Sequence, residues 1–212
     1  MDAMSRKLFS RLLVSFTKLM RPKLGAVVLT LHNIPSMHYE WFDNLISHLN
    51  KNYQFLDPFE FDWNKKDKKN STKIILTFDD GFYSNKKLAE QVLSKYGIKG
   101  IFFITEDFIG TEKPIAFVKE RFHPNTKPVI YNENDFTPMS WSDVDWLISD
   151  GHMIGAHTKT HPFLSSIRSR EKLYDELITS SDRMEKFINT DISCFAIPFG
   201  TVESVNKEII DI

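Results

Sequence analysis

Short apolar runs recur along this chain, each followed by a stretch with helical spacing, and that alternation restricts the fold to parallel α/β. The runs are 26–31, 74–78, 100–104, a fourth around Met153-Ile154-Gly155, and 193–197. The first, between Gly25 and Pro35, has the unbroken apolar character of a buried parallel strand. Between the runs, Trp41, Phe42, Leu45, Ile46 and Leu49 mark one helix. A second over 86–96 turns Leu88, Val92 and Leu93 inward and stops at Gly97. Ser140 and Asp143 open a third, with Val144, Leu147 and Ile148, that ends at Gly151. The last spans 168–188, with Leu173, Leu177, Met184 and Phe187 on one stripe. Residues 62–73, including the lysine cluster at 65–69, read as a solvated loop. The stretch 105–139 carries four prolines and little periodicity, which suits an insertion beside an active site.

A chain of 212 residues that is 42% hydrophobic and 26% charged, with no internal repeat, fits one main folding unit over 24–212. The net charge of −1 gives no global field to gather nucleic acid, so that partner is excluded. Cys194 is the single cysteine, which rules out an internal disulfide and a four-cysteine zinc cage. A reducing, cytoplasmic setting is the expectation.

The even charge balance hides an asymmetry. Residues 1–23 hold Arg6, Lys7, Arg11, Lys18, Arg21 and Lys23 against Asp2 alone, a local charge of +5 that leaves −6 on the rest. Leu8, Phe9, Leu12, Leu13, Phe16, Leu19 and Met20 recur at steps of three and four, forming one apolar stripe on a basic helix. Arg11 and Lys18 interrupt the apolar run that a secretory signal needs, and no run approaches the roughly 20 apolar residues of a membrane span. Two readings satisfy the pattern: a helix lying on the inner, anionic face of a membrane, and a helix docking its stripe on its own domain.

Three segments place polar groups just after an apolar run, where α/β folds gather their active sites. They are Thr77-Phe78-Asp79-Asp80-Gly81, His157-Thr158-Lys159-Thr160-His161-Pro162 and Ala196-Ile197-Pro198-Phe199-Gly200. If the strand ends at Phe78 and turns at Gly81, both carboxylates converge at its end, and two neighbouring anions need a cation. Two histidines separated by three residues can offer imidazole nitrogens to the same ion, and one aspartate completes a two-His-one-Asp set.

With these motifs the sequence resembles the polysaccharide deacetylase family of carbohydrate esterases, the NodB-homology family. Its T-F-D-D-G and H-[ST]-x-x-H-P signatures match here without substitution and in order, within a similarity running from about Val27 to the chain end. The resemblance implies a metal-dependent hydrolase that removes acetyl groups from N-acetylated amino sugars, built as a distorted (β/α) barrel. It implies that Asp80, His157 and His161 hold one divalent ion, zinc by the imidazole-rich set or else cobalt, manganese or nickel. Asp79 is then the general base, and the backbone N–H of Phe199 helps to stabilise the oxyanion.

Two departures from the family pattern bear on activity. The arginine that orients the catalytic aspartate in the third motif falls on Ala196. A complete family domain also continues to a leucine-x-histidine segment that supplies the general acid, whereas this chain stops at Ile212. The expectation is therefore an incomplete barrel of about five strands, with an open edge at 193–197 that favours an oligomer or an unstable monomer. An intracellular deacetylase acting on a lipid-linked or surface-glycan precursor is the leading reading. Its rival is a catalytically impaired, truncated domain that binds metal or a partner. Phosphoester hydrolysis through Asp79 and Asp80 lacks the Asp-x-Asp spacing of phosphatase nucleophiles. His32, ending the first strand, either lines the site or satisfies a backbone carbonyl. His123-Pro124 reads as loop, Cys194 as a small apolar residue, and Trp141, Trp146, Phe102 and Phe103 as core more than as sugar-stacking rings.

The two readings of the leader separate by experiment. Deleting residues 1–20 is expected to leave the body folded and to reduce sedimentation with anionic, but not neutral, vesicles. Unchanged sedimentation together with aggregation of the shortened chain would assign the stripe to intramolecular packing.

Overall fold

The protein is described here by a computed structural model over residues 26–60, 73–124 and 132–212; the basic leader and the 65–69 lysines lie outside these residues. Strand β1 (Ala26–Leu31) leads into helix α1 (Tyr39–Asn52), a two-residue strand β2 (Gln54–Phe55) and strand β3 (Lys73–Phe78). Helix α2 (83–96), strand β4 (Ile101–Ile104), helix α3 (114–122), helix α4 (Trp141–Ser149) and strand β5 (Met153–Ala156) follow. Helix α5 (170–188) and the short α6 (Lys207–Ile210) complete the order.

β3 is the axis of the sheet. One side of it pairs along its whole length with β1, and the other side pairs with β2 at its start and β4 at its end. β5 pairs with β4, so all five strands are parallel and the path reads β1-β3-β4-β5. Among the described residues the barrel does not close. Alternation along the strands sorts the side chains into two layers. Leu76, Phe78, Phe102 and Ile104 face the helices, where Phe42, Ile46, Leu88 and Leu93 cover them, and the rings of Phe78 and Phe102 stack at 4.8 Å. Ile75, Ile101, Phe103 and Met153 face the concave side with Cys194 and Ala196. A Cβ on Gly155 would lie 2.5 Å from the Phe103 ring and 2.8 Å from Cys194 Sγ, so only glycine lets these two side chains meet across β5.

Several expectations are corrected. Among the described residues β1 is an edge strand and not a buried one: Val27 is 37% and Val28 49% exposed. An unbroken apolar run has the same appearance at an edge as in the middle of a sheet. The 193–197 segment is no strand but a single parallel bridge, Phe195 to Ala156. Its pairing begins at Ala156, the last residue of β5, so the ladder runs out after one position. The fifth strand is instead Gln54–Phe55, too short for its periodicity to register. α2 begins at Tyr83, three residues before the expected start, and α5 begins at Arg170, where the Ser169 side chain caps Lys172 N–H. Phe187 on α5 points outward, 60% exposed, against Trp141 at 4.6 Å. The Ser140–Asp143 capping box opens α4 as expected. No helix among the described residues is long and apolar enough to cross a membrane.

His152, just before β5, supplies a pH-dependent element away from the strands' carboxyl ends. Its Nδ1 accepts the Gly100 N–H at 3.1 Å, which requires that nitrogen to be unprotonated. Burial, with Lys99 adding to it, pushes the imidazole down to about 4. The unfolded group titrates near 6.5, so the stabilisation is complete above that pH and is lost as pH falls toward 4, by up to about 3 kcal/mol. Urea unfolding from pH 7 to pH 4 should show this slope. His152→Asn, whose side-chain oxygen replaces Nδ1 as acceptor, should flatten it by about one proton, and an unchanged slope would assign the loss to other groups.

Candidate active site

The inward alternation of the strands continues past their ends and sets the site. Ile75 and Thr77 face inward on β3, and Asp79 is the next residue in that series. Its N–H donates to Leu31 O at 2.9 Å, and its carbonyl accepts from the buried Asn85 side chain at 3.3 Å. The chain then turns through Asp80 at φ 80° and Gly81 at φ 101°, which swings the Asp80 carboxylate toward the loop after β5. On β5 the inward series Met153, Gly155 reaches His157, whose N–H donates to Ile104 O at 2.9 Å. Thr158 at φ 66° and His161 at φ 57° fold the chain back so that both imidazoles face Asp80.

The distances are specific. Nε2 of His157 and Nε2 of His161 each lie 3.6 Å from Asp80 Oδ1, too far for hydrogen bonds. One ligand atom from each of the three buried residues falls within 4.8 Å of the others. Each ring is turned by a backbone carbonyl: His157 Nδ1 donates to Ala196 O at 2.8 Å, and His161 Nδ1 to Arg121 O at 3.2 Å. Nδ1 donating leaves Nε2 of each neutral ring as a lone pair aimed at Asp80. Asp80 Oδ1 is buried with no hydrogen-bond partner. Two imidazole Nε2 atoms and a carboxylate oxygen converging on one point form the donor set of a divalent cation, so these residues fit the implied metal.

The two aspartates are driven apart electrostatically. Burial pushes the Asp79 carboxyl above the usual aspartate range; His157 and His32 pull it down and Asp80 pushes it up, with burial prevailing. Burial is also the largest influence on Asp80, but His157, His161 and His32 outweigh it and hold that carboxyl below its ordinary range. Burial pushes His161 down to about 4. Beside Asp79, His32 Nε2 lies 3.8 Å from Oδ2, with 62% of the side chain exposed. His32 therefore lines the site. Its neighbour Asn33 accepts the Ser84 hydroxyl at 2.8 Å, which ties the end of β1 to α2.

The third motif sits on the opposite side. Phe199 holds φ 65°, and its ring meets His161 at 4.7 Å and Phe163 at 5.7 Å. Ala196 contributes its backbone carbonyl to His157. Of the other candidates, Phe102 and Phe103 are buried core, and burial pushes the Cys194 thiol up to about 11, away from thiolate chemistry. The 105–139 insertion does reach the site. Arg121 at the end of α3 orients His161 through its carbonyl, and Phe122 packs on that ring at 4.7 Å. Sequence carries no sign of a backbone acceptor, and the packing of Phe108, Phe117, Phe122 and Phe136 with Phe82 emerges only in the structure.

Known proteins resemble this chain in sequence and in fold. A curated protein of Geobacillus stearothermophilus, "Uncharacterized 30.6 kDa protein in fumA 3'region", is 24% identical over 129 residues, 59% of this chain. The match spans 37% of that relative's length. Among solved structures, the Streptococcus pyogenes deacetylase PplD in complex with acetate aligns over 89% of this chain and 78% of its own, with TM-score 0.61 and 19% identity. IcaB from Ammonifex degensii aligns over 89% and 80%, with TM-score 0.62 and 21% identity. These two likenesses give the fold, a NodB-type (β/α) barrel left open among the described residues. The family profile described as Polysaccharide deacetylase matches residues 66–211, well over half of the sequence, and the chain belongs to the polysaccharide deacetylase family.

Proposed function

We propose that this protein is a metal-dependent hydrolase that removes acetyl groups from N-acetylated amino sugars of a polysaccharide or of a surface-glycan precursor, one carried on a lipid being compatible with the basic leader. The observation that carries the reading is the convergence of Asp80, His157 and His161 on one point beside a second, differently tuned carboxylate, Asp79. Such a pair, with pKa values pushed in opposite directions, divides into ligand and proton acceptor. Asp80, His157 and His161 hold the ion, with zinc first by donor chemistry. When bound, the ion supplies Lewis acidity, which polarises an acetyl carbonyl and makes water easier to deprotonate. Asp79 takes the proton from the attacking water at its carboxylate, and its raised pKa makes it a stronger base than an ordinary aspartate. The Phe199 N–H stabilises the developing oxyanion.

His32 fills the role of the acid. Its Nε2 is within 3.8 Å of the proton acceptor and open to solvent, so it can protonate the leaving amine on the substrate's side of the site.

Three variants test these assignments. Asp79→Asn is expected to retain one divalent ion per chain and lose deacetylation, while Asp80→Asn loses metal affinity itself; equal metal loss in both would reverse or merge the two roles. His32→Gln should slow hydrolysis of an N-acetylated sugar oligomer by about 10²–10⁴-fold and that of an activated acetyl ester far less, since a phenolate needs no proton to depart. Equal effects on amide and ester would reject His32 as the acid.

A further inference from the structure

The loop between the two histidines is held in place from outside, and its holder is Glu176. Thr158 and His161 both adopt left-handed backbone at φ 66° and 57°, a conformation strained for non-glycine residues that persists only where neighbours enforce it. Thr160 lies between them. Its N–H donates to Glu176 Oε2 at 2.8 Å and its hydroxyl donates to Glu176 Oε1 at 2.7 Å, so one carboxylate grips a single residue through both oxygens. The Lys159 N–H donates to the Glu176 carbonyl at 3.2 Å, which makes a third contact from the same residue.

Glu176 is itself fixed. It sits in the π-helical turn Asp175–Thr179 of α5, a local widening that recurs at functional sites. Its neighbour Asp175 accepts from Lys159 Nζ at 2.9 Å and from Arg183 at 3.0 Å. Arg183 forks onto Glu106 at 2.8 and 2.7 Å, and the Glu106 N–H returns to Thr158 O at 3.2 Å. The contacts form a closed ring that ties α5 and the end of β4 to the loop. Within it the Glu176 carboxylate is the one side-chain acceptor outside the loop that a loop backbone N–H meets among the described residues.

We propose that Glu176 is a positioning residue for the metal centre: by clamping Thr160 it holds the two-histidine loop in its left-handed form and thereby sets the affinity for the ion. The inference rests on the assignment of His157 and His161 as ligands. Outer contacts of this kind commonly change metal affinity by 10–100-fold.

The test measures zinc affinity of the full chain by competition with a chromogenic chelator, alongside backbone amide exchange in the metal-free protein. Glu176→Ala is expected to bind zinc about 10–100-fold more weakly and to lose exchange protection at Lys159 and Thr160. In zinc-saturated protein its KM for an activated acetyl ester should stay near that of the parent chain while kcat falls. Glu176→Gln, which keeps an acceptor for the Thr160 N–H and can donate to the Thr160 hydroxyl, should recover most of the affinity. A control variant of similar overall stability loss, Ile46→Val in α1, should leave zinc affinity unchanged. Unchanged affinity in Glu176→Ala, no recovery in Glu176→Gln, or an equal loss in the Ile46→Val control would overturn the proposal. If the parent chain itself binds no divalent ion, the ligand assignment fails, while unaltered exchange at Lys159 and Thr160 in Glu176→Ala rejects the clamp independently of metal.

Discussion

Three groups whose donor atoms converge on one space, the Asp80 carboxylate and the two imidazoles, organise the carboxyl end of this sheet. The Asp80 oxygen and the two imidazole nitrogens at 3.6 Å face one another unbonded, because each imidazole has spent its proton on a carbonyl behind it. A buried carboxylate oxygen with no partner is costly to maintain, on the scale of a lost hydrogen bond or more. The rest of the carboxyl end of the sheet supports that arrangement. The 193–197 segment lends the Ala196 carbonyl, the insertion lends that of Arg121, and α5 lends Glu176.

Backbone strain follows the same map. Five non-glycine residues hold positive φ among the described residues, and four of them, Asp80, Thr158, His161 and Phe199, belong to the three motifs. The fifth, Asn189, closes α5, where a left-handed residue is ordinary. Strain concentrated in this way stores preorganisation: the side chains are aimed before any substrate arrives, and the aromatic pair Phe163 and Phe199 shields one flank.

The sequence made the site legible because strand alternation and motif spacing act on the same residues. Asp79 follows Ile75 and Thr77 by period two, and His157 follows Met153 and Gly155, so a strand prediction already aims them inward. The helices were equally legible where caps and stripes coincided, as at Ser140 with Val144 and Leu147. What could not be read lies in tertiary context. An edge strand and a central strand share one apolar pattern, which hid the exposure of Val27 and Val28. The single bridge at Phe195 depends on how short β5 is, and a two-residue strand such as β2 has no period at all. Backbone carbonyls carry no residue identity, so the parts played by Ala196 and Arg121 leave no trace in the sequence.

The edge position of β1 has a thermodynamic meaning for the site. Among the described residues β1 is zipped to the sheet by one ladder, that with β3, and it ends at Leu31, with His32 next in the chain. Edge elements open locally at free energies below that of global unfolding. The proposed ligands Asp80, His157 and His161 follow β3 and β5, so fraying of β1 would displace His32 and the Leu31 carbonyl that holds the Asp79 N–H while those two strands stay paired through β4. Under the role proposed for His32, local opening of this edge would act on the acid step before the ligand cluster itself is disturbed.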